Sequence, residues 1–330
     1  MRPSINSPTA KSKYLCLTGG VLVVLLTILS LFVGKYPLSM EKLLSGDAMQ
    51  WRVFLTLRCS RTLVGMAGGF ALGVAGFVYQ TVFRNPLASP DIIGVSSGAS
   101  AGAAVGILFL SGAAAVTICA FAGALLAVVL ALGLSALDRS GKHQTIVLAG
   151  IAVHSLAQTA LMALKLTADP DQELAAIEYW IMGSLNGINI HSIGGSLMLC
   201  TVCMVVLFLL HRQVVLLSSE EGEARMLGVH VVELRLTILL VATLAVSSVV
   251  SLTGLISFVG LLAPHGARML SGHNRSSTML LSGFAGSILL CGADILARSV
   301  ATTELPVSIF TSLIGAPVLV LLIVRGRRMP

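Results

Sequence analysis

Residues 92–137 read IIGVSSGASAGAAVGILFLSGAAAVTICAFAGALLAVVLALGLSAL, a stretch without Asp, Glu, Lys or Arg. The hydrocarbon core of a membrane is about 30 Å thick, and about 20 consecutive apolar residues cross it as a helix. This stretch is too long for one crossing, and Ser111 and Gly112 interrupt it near its middle. It therefore predicts two membrane-spanning helices joined by a short turn.

The whole chain has the composition of a membrane protein. Of its 330 residues, 56% are hydrophobic and 11% are charged, and the mean hydropathy is +0.95. These values exclude an ordinary soluble domain. Because lipid offers no hydrogen-bond partners to the backbone, and because no barrel-like alternation is present, we predict an all-α integral membrane protein of about ten spans. The spans are predicted at residues 15–33, 62–82, 93–110, 114–137, 145–166, 193–210, 236–253, 256–270, 277–297 and 307–324.

Basic residues set the predicted orientation. Six of them flank the first and last spans: Arg2, Lys11, Lys13, Arg325, Arg327 and Arg328. Lys and Arg accumulate on the cytoplasmic side of membrane proteins, so both termini are predicted to be cytoplasmic and the number of spans is even. This parity favours two helices in the interval from Leu236 to Ala267, which is long for one helix and short for two.

We predict a single transmembrane domain over residues 1–330, with a cytoplasmic tail at about 1–13 and a cytoplasmic segment at about 212–235. The helix-forming run at 220–229 predicts either a short amphipathic helix or a surface turn. An outer segment at 167–190 predicts a short interfacial helix. In the turn at 84–91, Ser89 is predicted to cap the third span and Pro90 to occupy its first position.

Several kinds of chemistry are missing from the sequence. It has no Walker A pattern for ATP, almost no carboxylates in its spans for a proton relay, and no basic tract for nucleic acid. The C-x-x-C pair Cys200 and Cys203 lies in an apolar span, which favours packing over metal or redox chemistry. His154, in the middle of the fifth span, is either a pathway residue or a packed, hydrogen-bonded histidine. We therefore predict no catalytic residue, metal site or cofactor in this chain.

A series of motifs follows in order along nearly the whole chain. They read RCSRTL at 58–63, RNPLASPDIIGV at 84–95, GSLNG at 183–187, GLISFVGL at 254–261, ADILAR at 293–298, ELPV at 304–307 and GAP at 315–317. Together they resemble the permease subunits of the ATP-binding-cassette importers for iron-siderophores, haem and cobalamin. One difference is that the family commonly has Leu-Pro where this chain has Cys59-Ser60.

The resemblance implies a bacterial cytoplasmic (inner) membrane protein with ten helices, in which helices 2–5 and 7–10 form an inverted repeat. It implies a second permease subunit, identical or homologous, two cytosolic ATPases that bind ATP and Mg, and an extracytoplasmic substrate-binding protein. The implied substrate is an iron(III)-siderophore or a related metal chelate. An ion-coupled secondary transporter of a small metal complex is the alternative, and the scarcity of membrane carboxylates argues against it.

The resemblance also implies roles for particular residues. The ATPase-coupling helix would contain Gly222, Glu223, Ala224, Arg225, Leu227 and Gly228. The arginines that meet the binding protein on outward loops would be Arg58, Arg61 and Arg298, and Asp294 is spaced to pair with Arg298 on one helix face. The candidates for narrowing the path on the cytoplasmic side are Asn85, Leu87, Ser140 and Gly141.

Overall fold

The computed structural model describes residues 10–34, 36, 38–110, 112–137, 143–188, 190–218, 230–272, 274–300 and 303–326. Over these residues the regular secondary structure is helical. The helices are α1 (Ala10–Phe32), α2 (Met40–Leu44), α3 (Ala48–Val53), α4 (Ser60–Val82), α5 (Val95–Phe109), α6 (Ala113–Ala136), α7 (His143–Thr167), α8 (Glu173–Ile181), α9 (Ile190–Leu209), α10 (His211–Leu216), α11 (Val231–Thr253), α12 (Val259–Ser271), α13 (Ser276–Ser299) and α14 (Val307–Gly326). A π-helical segment, Phe54–Cys59, joins α3 to α4, and a 3-10 turn, Pro90–Ile93, precedes α5.

The predicted all-helical membrane fold is confirmed. Each predicted span overlaps one helix, and the predicted outer helix is α8, which Lys165 on α7 contacts through a 2.9 Å ion pair with Glu178. Among the described residues, 6 helices are long and apolar enough to cross a membrane, and others, such as α5 and α9, are apolar but shorter. The exact number of crossings and the side on which the termini lie remain predictions.

Glycines allow the central helices to touch backbone to backbone. A Cβ at Gly73 of α4 would lie 2.0 Å from the carbonyl oxygen of Ser282 on α13. A Cβ at Gly102 of α5 would lie 2.1 Å from the carbonyl oxygen of Cys119 on α6. Lipid provides no hydrophobic drive for helices to associate, so this close packing is a main source of cohesion in the bundle.

The start of α5 differs from the sequence-based prediction. Ser89 makes no side-chain capping bond, and Pro90 opens the 3-10 turn instead of the helix. That turn ends at Gly94, whose φ of 82° is left-handed, and α5 begins one residue later. A left-handed residue cannot continue either helix, so the prediction of Ser89 as the cap was wrong and Gly94 is the point at which the chain changes direction.

Two short helices begin near the middle of the bundle. Gly94, before α5, lies against the backbone of His154 in the middle of α7, and Phe258, before α12, packs on Gly315 in the middle of α14. From these starts α5 runs towards the end that carries α8, where Ala104 packs with Ile177, and α12 runs towards the opposite end, where Ser271 contacts Thr278 at the start of α13. These are the third and eighth predicted spans, and opposite half-helices are what an inverted repeat produces.

Candidate functional site

Arg61 is the centre of a buried charged cluster at one end of the bundle. Its Nε donates to Asp294 Oδ1 at 2.8 Å, its Nη2 lies 2.7 Å from the same oxygen, and its Nη1 donates to Glu304 Oε2 at 2.8 Å. Arg61 is only 8% exposed and Asp294 only 1%. The cluster therefore joins α4, α13 and the segment before α14 through charge-assisted hydrogen bonds.

Arg58 and Arg298 connect this cluster to the end of α1. Arg298 forms the predicted i,i+4 ion pair with Asp294 at 2.9 Å, and its guanidinium also donates to Ser30 Oγ at 2.7 Å and to the Val33 carbonyl at 2.9 Å. Arg58 donates to the Val33 carbonyl and, at 2.8 Å, to the Tyr36 carbonyl. The last carbonyls of a helix have no partner within it, so the two arginines supply the missing donors at the end of α1.

The structure brings together the three arginines predicted to meet a binding protein, but not on outward loops. Arg58 and Arg61 lie within a helix that is continuous from Ala48 to Val82, and Arg298 lies in the last turn of α13. All three are buried, because carboxylates and backbone carbonyls of the chain itself surround them. Among the described members of the cluster, three guanidinium groups face two carboxylates, so one positive charge is in excess. The role of the three arginines in docking a binding protein stays a prediction.

The described gate candidates belong to one tight turn after α4. The Asn85 side chain accepts a hydrogen bond from the Leu87 backbone N–H at 2.9 Å, and its carbonyl accepts one from Ala88 at 3.0 Å. Asn85 thus holds the turn in place, and the Leu87 side chain is 54% exposed. The other two candidates, Ser140 and Gly141, lie outside the described residues, as do the coupling residues Gly222, Glu223, Ala224, Arg225, Leu227 and Gly228.

An open cavity of about 270 Å³ lies between this turn and the start of α12. Its wall combines apolar side chains with a few polar ones, and its lining includes Leu87, Ser89, Asp91, Ser257, Phe258 and Leu261. Asp91 is held in place by hydrogen bonds from Ser96 and, at 3.5 Å, from Ser89. We call this space the mid-depth cavity, because the two half-helices that border it both begin near the middle of the bundle.

The mid-depth cavity was not predicted from the sequence. One feature of the sequence could have indicated it, namely two short apolar segments in the two halves of the chain. Pro90 and Gly94 interrupt the first segment, and Gly254 interrupts the second. Interrupted spans in corresponding positions of two repeats mark pathways in many transporters. The residue type of Phe258 did not indicate an interruption, because a bulky residue rarely adopts the left-handed φ of 66° that it has here.

His154 and the cysteines add no second site. His154 is partly exposed on α7, with its backbone against Gly94, and its pathway role stays a prediction. Cys200 and Cys203 are buried and free, which fits packing residues. Within the described parts of the chain, no group of three or more His, Cys, Asp or Glu side chains could hold a metal ion.

The chain is similar in sequence to permeases of known transport systems. The chain is 36% identical over 325 residues to the hemin transport system permease protein HmuU of Yersinia pestis, covering 93% of this chain and 95% of the relative. It is 37% identical over 265 residues to the cobalamin import system permease protein BtuC of Halobacterium salinarum, covering 79% and 70%.

A solved structure shares the fold as well. It is described as a metal-chelate type ABC transporter in an inward-facing conformation, and it matches 95% of this chain and 99% of its own with a TM-score of 0.84 and 31% identity. The model of the FecCD transport family matches residues 22–325. The chain is therefore a multi-pass inner-membrane protein that belongs to the FecCD transport family of ABC importer permeases.

Proposed function

We propose that this chain is the membrane subunit through which an ATP-driven importer moves an iron(III)-siderophore or a related metal chelate into the cytoplasm. The observation that carries the proposal is the mid-depth cavity between two oppositely directed half-helices. Half-helices of this kind can tilt against the rest of a bundle and open a path first on one side and then on the other. The relatives named for hemin and cobalamin transport bulky metal complexes, which supports this substrate class.

The composition of the cavity wall suits a bulky substrate in transit. Asp91, Ser89 and Ser257 offer a few polar contacts, while Leu87, Phe258 and the rest of the wall are mostly apolar. A transport path must bind its substrate weakly enough to release it.

Growth of a deletion strain on single iron sources tests the substrate class. The strain should fail to grow on one class of iron chelate, and growth should return when the gene is restored. Normal growth on every iron chelate, with loss only on cobalamin or molybdate, would contradict an iron substrate.

The proposed partners are a second permease subunit, two cytosolic ATPases that bind ATP and Mg, and an extracytoplasmic binding protein. The proposed contact with the ATPases is the segment from Gly222 to Gly228, and the proposed contact with the binding protein is the end of the bundle that contains Arg58, Arg61 and Arg298. Within this cluster three arginines face two carboxylates, and the excess of one positive charge there supports a contact with an acidic side chain of the partner.

The coupling contact can be tested with Leu227→Asp. A charge forced into an apolar contact should abolish the stimulation of ATP hydrolysis by substrate-loaded binding protein, while the permease still inserts and folds. The matched control is Leu137→Asp, at an exposed position at the end of α6. Equal stimulation in both variants would contradict the proposed coupling role.

The rival function is an ion-coupled secondary transporter, which needs a carboxylate that exchanges protons or cations within the membrane. Asp294 is a buried carboxylate in a predicted span, but it lies between the guanidinium groups of Arg61 and Arg298. Both of its carboxylate oxygens are engaged in ion pairs that hold helices together, so it is unsuited to a proton relay.

A further inference from the structure

A second cavity lies on the outside of the bundle, between α1, α12, α13 and α14. Its volume is about 410 Å³, more than twice the roughly 150 Å³ of an apolar cavity that holds benzene. Its lining is aliphatic or aromatic apart from Thr18, and it includes Leu22, Leu270, Phe284 and Ile288. Water would find almost no hydrogen-bond partners there, so the cavity suits an apolar occupant.

The position of the cavity favours a lipid chain as that occupant. Helix α1 is apolar along its length and largely exposed, with Leu17 at 65% and Leu25 at 57%, so it faces the hydrocarbon of the bilayer. The ends of the chain suit the cavity poorly, because residues 1–9 read MRPSINSPT and residues 327–330 read RRMP. A second copy of the chain would have to insert a protruding segment into a cleft between four helices.

A basic residue marks where the headgroup of such a lipid would lie. Lys11, Leu15, Thr18 and Leu22 follow one another at i, i+4, i+7 and i+11, so they share one face of α1. Three of them line the cavity, and Lys11 is exposed at the end of α1 that the distribution of basic residues places in the cytoplasm. The cytoplasmic leaflet is rich in anionic lipids, whose phosphates attract Lys side chains near the surface.

We propose that this cavity is a binding site for a phospholipid of the cytoplasmic leaflet, with one acyl chain in the cavity and an anionic headgroup at Lys11. The site touches the transport machinery through α12: Leu261 lines the mid-depth cavity, and the next residue, Leu262, lines the lipid cavity. The lipid thus packs on the outer side of the half-helix whose inner side borders the proposed path.

Gly266 provides a direct test, because it lines the cavity and a Cβ added there meets no atom within 4 Å. Gly266→Phe fills the cavity without a backbone clash. The matched control is Gly133→Phe on α6, where an added Cβ also meets nothing within 4 Å and which does not line this cavity. Ala285→Leu is a second filling variant in case Gly266→Phe folds poorly.

The experiment is native mass spectrometry of the delipidated full-length protein titrated with phosphatidylglycerol or phosphatidylcholine. Wild type and Gly133→Phe should hold one tightly bound phosphatidylglycerol per chain, which both filling variants lose. Lys11→Gln should bind phosphatidylglycerol about five-fold more weakly, the effect of one basic residue near an anionic surface, with little change for phosphatidylcholine.

Three outcomes would overturn the proposal. The first is equal retention of phosphatidylglycerol by wild type and both filling variants. The second is loss of the permease pair with lipid retained in Gly266→Phe, which would assign the cavity to a second copy. The third is a gain of lipid binding on deletion of residues 1–9, which would assign it to the chain's own terminus. The experiment measures the mass of bound phospholipid and not the uptake of a substrate. Its result therefore does not depend on the proposed transport function.

Discussion

The charged end of the bundle and its middle are built in opposite ways. At the charged end, Arg58, Arg61 and Arg298 converge with Asp294 and Glu304, and the ion pairs are 2.7–2.9 Å long. In the middle, two interrupted helices border an open cavity whose lining contains one carboxylate, Asp91. Rigid charge pairing holds the first region together, and irregular backbone shapes the second.

This difference follows from where charge can be tolerated. A charged group near the middle of a bilayer is costly unless it has a partner, whereas a group near a helix end can reach polar surroundings. Fixed charges along a transport path would also bind a metal complex too tightly for it to be released. In the described part of the chain, ion pairs therefore hold the charged end together, whereas close glycine packing and weak contacts border the proposed path.

The largest effect is expected when the charged end loses Asp294, the carboxylate that Arg61 and Arg298 share. Asp294→Ala leaves Arg61 and Arg298 buried without their common partner, which should cost about 3–5 kcal/mol of stability. The measurement is thermal unfolding of the purified protein in detergent. Asp171→Asn, at an exposed position in the loop before α8, is the control, and equal unfolding midpoints for the two variants would show that the cluster does not stabilise the bundle.

A smaller effect is expected in the middle, where the contact is steric. A Cβ at Gly315 would lie 2.5 Å from the ring of Phe258, so Gly315→Ala should cost about 1–3 kcal/mol through overpacking. Adding Phe258→Ala should recover part of that loss, which a double-mutant cycle detects. Gly292→Ala, where an added Cβ meets nothing within 4 Å, is the control. Strictly additive effects of the two changes would contradict the Phe258–Gly315 contact.

The smallest predicted effect concerns docking of the binding protein. Arg61→Glu would break two ion pairs as well as reverse a charge, so the better test is Arg58→Gln, since Arg58 donates to backbone carbonyls. Association with the binding protein should slow about two- to five-fold at low salt, because one positive charge beneath the proposed docking surface is removed. The difference should vanish at high salt.

The control for docking is Arg52→Gln, which changes an exposed arginine on the preceding helix. If Arg58→Gln and wild type associate equally at low salt, the three arginines serve only to hold α1, α4 and α13 together. Stopped-flow fluorescence of a labelled binding protein measures the rates.

The sequence predicted the helices well and the sites unevenly. Long charge-free intervals define the spans, because each span must be apolar over about 20 residues regardless of its neighbours. The i,i+4 pair of Asp294 and Arg298 was also predictable, since it depends on spacing along one helix. The resemblance grouped Arg58, Arg61 and Arg298, but Glu304 and the end of α1 joined the cluster only in the structure.

The features that were missed depend on contacts between distant parts of the chain. The sequence does not show that Arg61 reaches Glu304, or that Ser30 and Val33 accept hydrogen bonds from Arg298, because these contacts arise from the packing of α1, α4 and α13. The left-handed Phe258 is tolerated because Gly315 leaves room for its ring. The start of α12 at Val259 follows from that tertiary contact and not from local propensity.

The central claim is that this permease moves its substrate with energy from ATP hydrolysis by partner subunits. It is tested most directly by uptake of a radiolabelled ferric chelate into proteoliposomes that contain the chain, its partner ATPases and the binding protein. The account predicts that uptake continues when an uncoupler removes the proton gradient at constant ATP, and that it stops when ATP is replaced by a non-hydrolysable analogue. Uptake that persists without ATP and collapses with the uncoupler would contradict the account and support the secondary transporter.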